Sequence, residues 1–186
     1  VIENSIPFSF SATASSNGAP NINFYLLLDS SPSMAIVATS AGINTLIANT
    51  QSQCDAAPSG GPTCGCGFAC HESYPAGDTH CNSSSSGLSG LGNPNGEDNY
   101  QLARNLGLSL RIDLMTSATT TLMKTAQTTE ASNKAKYGMA IYTFDVNFNT
   151  YQTLTTNLTT AQTSAGTIQM LEVYKNNCLT SSNCNS

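Results

Sequence analysis

A run of large apolar residues stops at an aspartate followed by alternating serines in the stretch YLLLDSSPSM, Tyr25–Met34. The run Ile22–Leu28 is apolar on both faces, as expected for a central strand covered by helices on both sides. Asp29, Ser31 and Ser33 then bring one carboxylate and two hydroxyls onto one short loop. Such hard oxygen donors suit Mg²⁺, Mn²⁺ or Ca²⁺ rather than soft metals. The alternative is a helix cap, since Ser and Asp cap helices without any metal.

The first part of the chain predicts an edge strand and a helix around this loop. Ile6, Phe8 and Phe10 alternate with polar residues, and Pro7 places their strand at a sheet edge because it cannot donate to a ladder. After the loop, apolar residues recur at helical spacing, which predicts a helix from about residue 32 to residue 50. The apolar strand therefore leads through the oxygen-rich loop into a helix.

The second half of the chain predicts a long helix, two strands and a last helix. The stretch EDNYQLARNLGLSLRIDLMTSATTTLMKTAQ is typical of one helix with Asp98 as its N-cap. Its apolar residues recur four positions apart on one face: Leu102, Leu106, Leu110, Leu114, Ala118 and Leu122. The strands are KYGMAIYTFDV and TYQTLTT, and NLTTAQTSAGTIQML is the last helix. This order predicts one α/β domain over residues 1–186, with a mostly parallel sheet flanked by helices.

The charge of the chain argues against nucleic-acid binding. Only 9% of residues are charged, and the net charge is −5. The six Lys and Arg residues form no basic cluster, whereas a nucleic-acid footprint needs positive charge on one face. No segment reaches the ~20 apolar residues that span a bilayer.

Seven cysteines indicate an oxidising, extracytoplasmic compartment, and we expect them to form disulfides. They are Cys54, Cys64, Cys66, Cys70, Cys81, Cys178 and Cys184. The first five lie in a segment rich in Gly, Pro, Ser and Cys, residues 51–97, which we interpret as a long insertion held by disulfides. The last two, six positions apart, are expected to pair with each other. Because seven is odd, one cysteine must have another fate.

Two other uses of the cysteines stay open. Cys66, Cys70 and His71 have the spacing C-x-x-x-C-H, which is one residue longer than the haem-attachment motif. A zinc site would use Cys64, Cys66 and Cys70 with His71 or His80, because thiolates and imidazoles suit zinc.

Catalysis has little support in the sequence, and we expect no enzyme. Ser31 and Ser33 lack the G-x-S-x-G elbow of serine hydrolases, and both histidines lie in the insertion. Asp145, at the end of the second long strand, is expected to be a solvated strand-end residue near the rim that carries Asp29.

The loop Asp29–Ser33, at the carboxyl end of an apolar strand, resembles the metal-ion-dependent adhesion site of von Willebrand factor A (vWA) domains. The resemblance implies that Ser31 and Ser33 bind the metal directly and that Asp29 acts through water. More narrowly, the segments NFYLLLDSSPSM, CGFACHE, DNYQLARNLGLSLRIDLM and YGMAIYTFD, in this order, resemble the TadG-like proteins of bacterial Tad (Flp) pilus assembly. Such proteins carry an N-terminal membrane anchor and hold a vWA region outside the inner membrane. We expect membrane attachment only through such an anchor, which residues 1–186 do not contain.

The sequence departs from the vWA pattern in its second half. The full site also takes a threonine from a second loop and an aspartate from a TDG-like turn, and no such turn follows Leu171. Thr180 is the late candidate for the threonine. We therefore expect an incomplete vWA-like domain, in which one edge of the central strand has no partner.

The expected function is a non-enzymatic binding or assembly module of a pilus or cell-surface structure. It would mediate protein–protein adhesion, with a divalent cation (Mg²⁺, Mn²⁺ or Ca²⁺) at Asp29, Ser31 and Ser33. The first alternative is a filament subunit that assembles by strand addition at an open sheet edge. The second is a metal or haem protein built on the cysteine-rich insertion. The expected partners are other pilus or surface components and further copies of the chain. Nucleic acid is not an expected partner.

Overall fold

The computed structural model describes residues 21–51, 66–74, 98–174 and 178–183. Its strands are β1 (Asn21–Asp29), β2 (Lys136–Phe144) and β3 (Phe148–Thr155). Its α-helices are α1 (Ser40–Asn49), α2 (Asn99–Asn105), α3 (Arg111–Asn133) and α4 (Leu158–Ala165). Two 3-10 turns cover Pro32–Ala35 and Ser181–Asn183. The predicted edge strand at residues 6–10 and most of the insertion 51–97 lie outside these ranges.

The sheet has the order β1-β2-β3 and contains one parallel and one antiparallel pair. β1 pairs with β2 in parallel from Asn21 opposite Lys136 to Asp29 opposite Phe144. β2 and β3 are antiparallel, because only residues 145–147 join them and so short a connection cannot cross the sheet. The predicted α/β class is confirmed. The predicted mostly parallel sheet is a mixed sheet in the described residues.

The hydrophobic core lies on one face of this sheet. Leu26 is opposite Ile141 in the register, and Leu28 and Met139 each lie two positions away along their strands, on the same face. Helices α3 and α4 pack against each other, and both contact β2. Their buried residues complete the core: Ile112, Met123, Ala126, Leu158, Ala161 and Ala165.

The opposite face of the sheet is largely bare. Tyr25 is 62% exposed, Leu27 58%, Phe144 43% and Phe148 64%. Tyr142 belongs to the same face, since its ring stacks on Phe148 with centroids 5.1 Å apart. We call these five residues the open face. The prediction that β1 is a central strand covered on both sides is wrong for the described residues, where β1 is an edge strand with one bare face.

The helix predicted from residue 32 to residue 50 begins eight residues later. Pro32–Ala35 forms a 3-10 turn, and the next two residues are extended. Ile36 forms a β-bridge with Phe68, and Val37 forms one with Leu110. These tertiary pairings outweigh the local helical spacing, so that α1 starts only at Ser40.

The long helix predicted after the insertion is two helices, although its predicted N-cap is confirmed: Asp98 accepts a hydrogen bond from Gln101 N at 2.8 Å. Gly107 has φ +67°, a conformation that glycine adopts without steric cost. Leu110 is extended and donates its N–H to the Asp113 carboxylate at 2.7 Å, which starts α3. The leucine stripe does not continue as a buried face, because Leu114 and Leu122 are 55% and 43% exposed.

A candidate cation-binding loop

The structure brings Asp29, Ser31 and Ser33 together at the carboxyl end of β1. Asp29 is the last residue of the strand, and its Oδ1 accepts a hydrogen bond from Ser31 N at 2.8 Å. Ser31 Oγ lies 2.7 Å from Ser33 Oγ, which belongs to the 3-10 turn. Ser33 is exposed, while Asp29 and Ser31 are half-buried, so the loop faces solvent on one side.

The helix-cap alternative for these serines does not hold for α1. Ser31 precedes the 3-10 turn, but its side chain makes no capping hydrogen bond. The N-cap of α1 is Thr39, whose Oγ1 accepts from Gly42 N at 3.1 Å. The serines of the loop therefore do not cap α1.

The donor set fits a small divalent cation in chemistry and in spacing. Mg²⁺ binds oxygens at about 2.0–2.1 Å in octahedral geometry, which places neighbouring ligands about 2.9 Å apart. The hydroxyls of Ser31 and Ser33 are hydrogen-bonded to each other at 2.7 Å, which is also close to the separation of two neighbouring Mg²⁺ ligands. Asp29 adds a carboxylate next to them, so that all three donors are hard oxygens. Within the described ranges, no group of three or more His, Cys, Asp or Glu residues is arranged to hold a metal.

Thr180, the late candidate for a second-loop threonine, is engaged locally. Its Oγ1 lies 2.8 Å from Asn183 Oδ1 and 2.9 Å from Ser182 Oγ. Its backbone N–H also donates to Asn183 Oδ1 at 2.8 Å. These bonds close the turn Ser181–Asn183, and no hydrogen bond found among the described residues joins Thr180 to the loop Asp29–Ser33.

Two residues that the sequence did not single out as a pair meet beside this loop. Ser30 Oγ lies 3.1 Å from Asp145 Oδ2, and Asn149 Nδ2 donates to the same oxygen at 2.9 Å. Asp145 was expected to be simply solvated, but its side chain is half-buried and hydrogen-bonded. The signal that could have found the pair is the position of both residues directly after neighbouring strands, because parallel strands end at the same sheet edge.

A segment of the insertion, residues 66–74, passes beside the loop, and we call it the strap. Its Ala69 N donates to the carbonyl of Ala35 at 3.1 Å, the last residue of the turn that carries Ser33. At its start, Cys66 N donates to Thr50 Oγ1 at 2.7 Å. The strap thus connects the insertion to the rim of the candidate site.

Asp98 fixes the strap to α2. Its Oδ2 lies 2.9 Å from His71 Nδ1 and accepts from Glu72 N at 2.7 Å, while its Oδ1 caps α2 through Gln101 N. Asp98 is only 8% exposed, so the carboxylate depends on these donors for the solvation it has lost. Since a carboxylate oxygen accepts, His71 donates to Asp98 through its Nδ1–H. The prediction of His71 as a zinc or haem ligand remains untested.

A second charged group extends this network to α3. The Tyr100 ring stacks on the His71 ring at 4.1 Å between centroids, and Arg104 Cζ lies 4.5 Å from the same Tyr100 centroid. Arg104 Nη1 donates to Asp113 at 2.5 Å. The hydrogen bond to Asp113, and after it that to Tyr100, raises the pKa of Arg104 above its ordinary value, against the opposing effect of burial. Arg104 therefore stays a fixed cation between two helices.

Of the seven cysteines, three lie in the described ranges. Cys178 is disulfide-bonded, while Cys184, its predicted partner, lies outside them. The sulfurs of Cys66 and Cys70 lie 3.1 and 3.9 Å from the carbonyl oxygen of Phe68. Cys54, Cys64 and Cys81 fall outside the described residues, so the disulfide pattern of the insertion stays a prediction.

The chain matches no protein-family model, no curated protein and no solved structure. Among the helices of the described ranges, none has the length and apolar character needed to cross a membrane.

Proposed function

We propose that this chain is a vWA-like, TadG-like binding module that works outside the cytoplasm in a pilus or cell-surface assembly. The observation that carries the proposal is the close pair of hydroxyls of Ser31 and Ser33 beside Asp29, at the carboxyl end of an apolar strand. Ligands of α/β sheets bind at this end of the strands, which supports a binding role for the loop. The proposed module has no catalytic function.

In this proposal Asp29, Ser31 and Ser33 hold a divalent cation, with Mg²⁺ as the ion whose ligand spacing they fit best. The bound ion would carry a positive charge, and an acidic residue of a protein partner would complete its ligand shell. With Ser31 and Ser33 as direct ligands and Asp29 acting through water, most of an octahedral shell is left to water or partner oxygens. The loop orients its donors through the Asp29–Ser31 hydrogen bond.

The disulfide-rich insertion 51–97 is proposed to shape the partner contact. Its strap reaches the turn Pro32–Ala35 through the bond between Ala69 N and Ala35 O. The strap is in turn held by Asp98 and by backbone bonds to Val173. An insertion anchored in this way next to the loop would select partners by shape.

The experiment is a series of thermal melts of the chain in EDTA, Mg²⁺, Mn²⁺ and Ca²⁺. A cation that binds only the folded state raises the melting temperature by mass action. We expect a rise with Mg²⁺ or Mn²⁺ that is lost in the double variant Ser31→Ala/Ser33→Ala. Ser117→Ala, an exposed serine of α3, is the matched control and should keep the rise. Equal melting temperatures in EDTA and in saturating cation would refute the metal site.

The second candidate is a filament subunit that assembles by strand addition at β1. It is supported by the position of β1 at the edge of the sheet that the described residues form and by the exposure of Tyr25 and Leu27. β1 is nine residues long and has a strand partner on one side only among the described residues, and an edge strand of this kind is a template for pairing with other chains. A melting temperature that rises with protein concentration and ignores cations would favour this candidate over the adhesion module.

A further inference from the structure

Ser30 lies between the proposed ligands Asp29 and Ser31 and is held in place by hydrogen bonds. It is 1% exposed, and its backbone N–H donates to Phe144 O at 2.8 Å. Its carbonyl accepts from Leu171 N at 2.9 Å. Its hydroxyl lies 3.1 Å from both Phe144 O and Asp145 Oδ2. Every polar group of Ser30 is thus bonded to a segment remote in sequence.

The Asp145 carboxylate that receives this hydroxyl is itself held in place. Its Oδ1 accepts from Asn147 N at 2.7 Å, within the turn between β2 and β3. Its Oδ2 accepts from Asn149 Nδ2 at 2.9 Å as well as from Ser30. Donors from the turn, from β3 and from the loop therefore converge on one carboxylate. Such an arrangement restricts its rotation far more than solvent contact would.

We propose that Asp145, acting through Ser30, is a positioning residue for the cation loop. The proposal rests on the proposed function, because it assigns Asp145 a task in presenting Ser31 and Ser33 to the ion. Asp145 holds the Ser30 hydroxyl, and Ser30 sets the direction in which the chain leaves β1. Residues that orient metal ligands in this way typically change metal affinity about 10- to 100-fold when they are removed.

The test is Mn²⁺ binding to the whole chain, measured by titration calorimetry, for the wild type and for Asp145→Ala, Asp145→Asn and Ser30→Ala. Asn keeps one oxygen that can accept from Ser30 and Asn149, and it loses the charge and the second oxygen, which accepts from Asn147 N. We expect Asp145→Ala and Ser30→Ala to weaken binding about 10-fold or more. Asp145→Asn should stay within about 3-fold of the wild type. Glu172→Ala removes an exposed carboxylate of the chain and serves as the control.

Amide hydrogen exchange in EDTA gives a second, metal-free measurement. The Ser31 amide donates to Asp29 and reports the order of the loop. We expect it to exchange faster in Asp145→Ala than in the wild type, with a circular dichroism spectrum that is unchanged. This readout shows whether the loop has loosened while the fold persists.

The outcomes are distinguishable. Wild-type affinity in Asp145→Ala, with unchanged exchange at Ser31, overturns the positioning role and leaves the proposed function standing. Equal losses in Asp145→Ala and Asp145→Asn overturn it, because the Asn variant keeps the acceptor for Ser30 and lacks only the charge and the acceptor for Asn147 N. If Mn²⁺ binds neither the wild type nor Ser31→Ala/Ser33→Ala, the proposed function fails. The positioning role for an ion then fails with it, whatever the exchange data show.

Discussion

Asp98 joins two parts of the molecule with one carboxylate. It caps α2 through Gln101 N and holds the strap through His71 Nδ1 and Glu72 N. Buried donors that lose their acceptor are costly, because neither water nor another group replaces it at once. The hydrogen bonds of this one carboxylate therefore help to keep the strap next to the candidate loop.

We expect Asp98→Ala to lower the free energy of unfolding by about 2–4 kcal/mol, from the lost cap and the unsatisfied donors together. Urea denaturation monitored by circular dichroism would measure it. Glu172→Ala, which removes an exposed carboxylate, should change the same quantity by less than about 0.5 kcal/mol. Equal effects of the two substitutions would show that the Asp98 network contributes nothing to stability.

Gly107 ends α2 in a conformation that other residues rarely adopt, with φ +67°. A Cβ added there would meet nothing within 4 Å, so that the cost of Gly107→Ala comes from the backbone alone. We expect a loss of about 1–2 kcal/mol of unfolding free energy. Gly166, with φ −67°, is the contrast, and Gly166→Ala should be neutral or stabilising. Thermal melts of both variants would check the difference, and a harmless Gly107→Ala would contradict the assigned turn.

At the scale of elements, α3 shows how the structure departs from its sequence pattern. The leucine stripe puts Leu114 and Leu122 on one face, and both are exposed. Met123 is fully buried, and Thr119 and Ala126 lie on the same buried side. The side of α3 that faces the core is therefore the one that carries Met123, and not the one that carries Leu114 and Leu122 as the leucine spacing predicts.

This choice of face can be tested with adjacent residues. We expect Met123→Ala to cost about 2–5 kcal/mol of unfolding free energy, because it leaves a cavity in the core. Leu122→Ala should cost less than about 1 kcal/mol, since its side chain is already 43% exposed. Denaturant midpoints of the two variants would decide, and the reverse ranking would restore the face that the leucine spacing predicts.

The elements that local chemistry specifies were predictable from the sequence. β2, β3 and the Asp98 cap follow from apolar strand patterns and from capping preference. The break between α2 and α3 was not predictable in this way, because leucines continue at helical spacing through it and a glycine inside a helix costs only about 1 kcal/mol. The candidate site likewise has a part that was predictable from the sequence and a part that was not. Asp29, Ser31 and Ser33 form a local motif, whereas Ser30 and Asp145 are 115 positions apart and meet only through the register of β1 and β2.

At the scale of the whole molecule, the open face gives the chain a second exposed surface besides the candidate loop. Parallel strand pairs normally occur where both faces are covered, and the described helices cover one face here. Tyr25, Leu27 and Phe148 are each more than half exposed. A contiguous apolar area of this kind promotes association.

We expect Leu27→Lys to reduce concentration-dependent association of the chain, because it places a charge in the middle of the open face. Analytical ultracentrifugation over a range of protein concentrations would measure it. Leu114→Lys is the matched control, since Leu114 is 55% exposed on α3, away from the sheet, against 58% for Leu27. Equal effects of both lysines would mean that net charge, and not the open face, governs association.

The pairing of β1 with β2 also has a consequence for biosynthesis. The residues opposite each other in the two strands are 115 positions apart, as Ser30 and Asp145 are. At elongation rates of about 5–20 residues per second, a ribosome needs on the order of ten seconds to make the partner strand after β1 has emerged. Throughout that interval one of the most apolar stretches of the nascent chain has no sheet to join. The topology therefore predicts that β1 stays accessible to chaperones until β2 has been made.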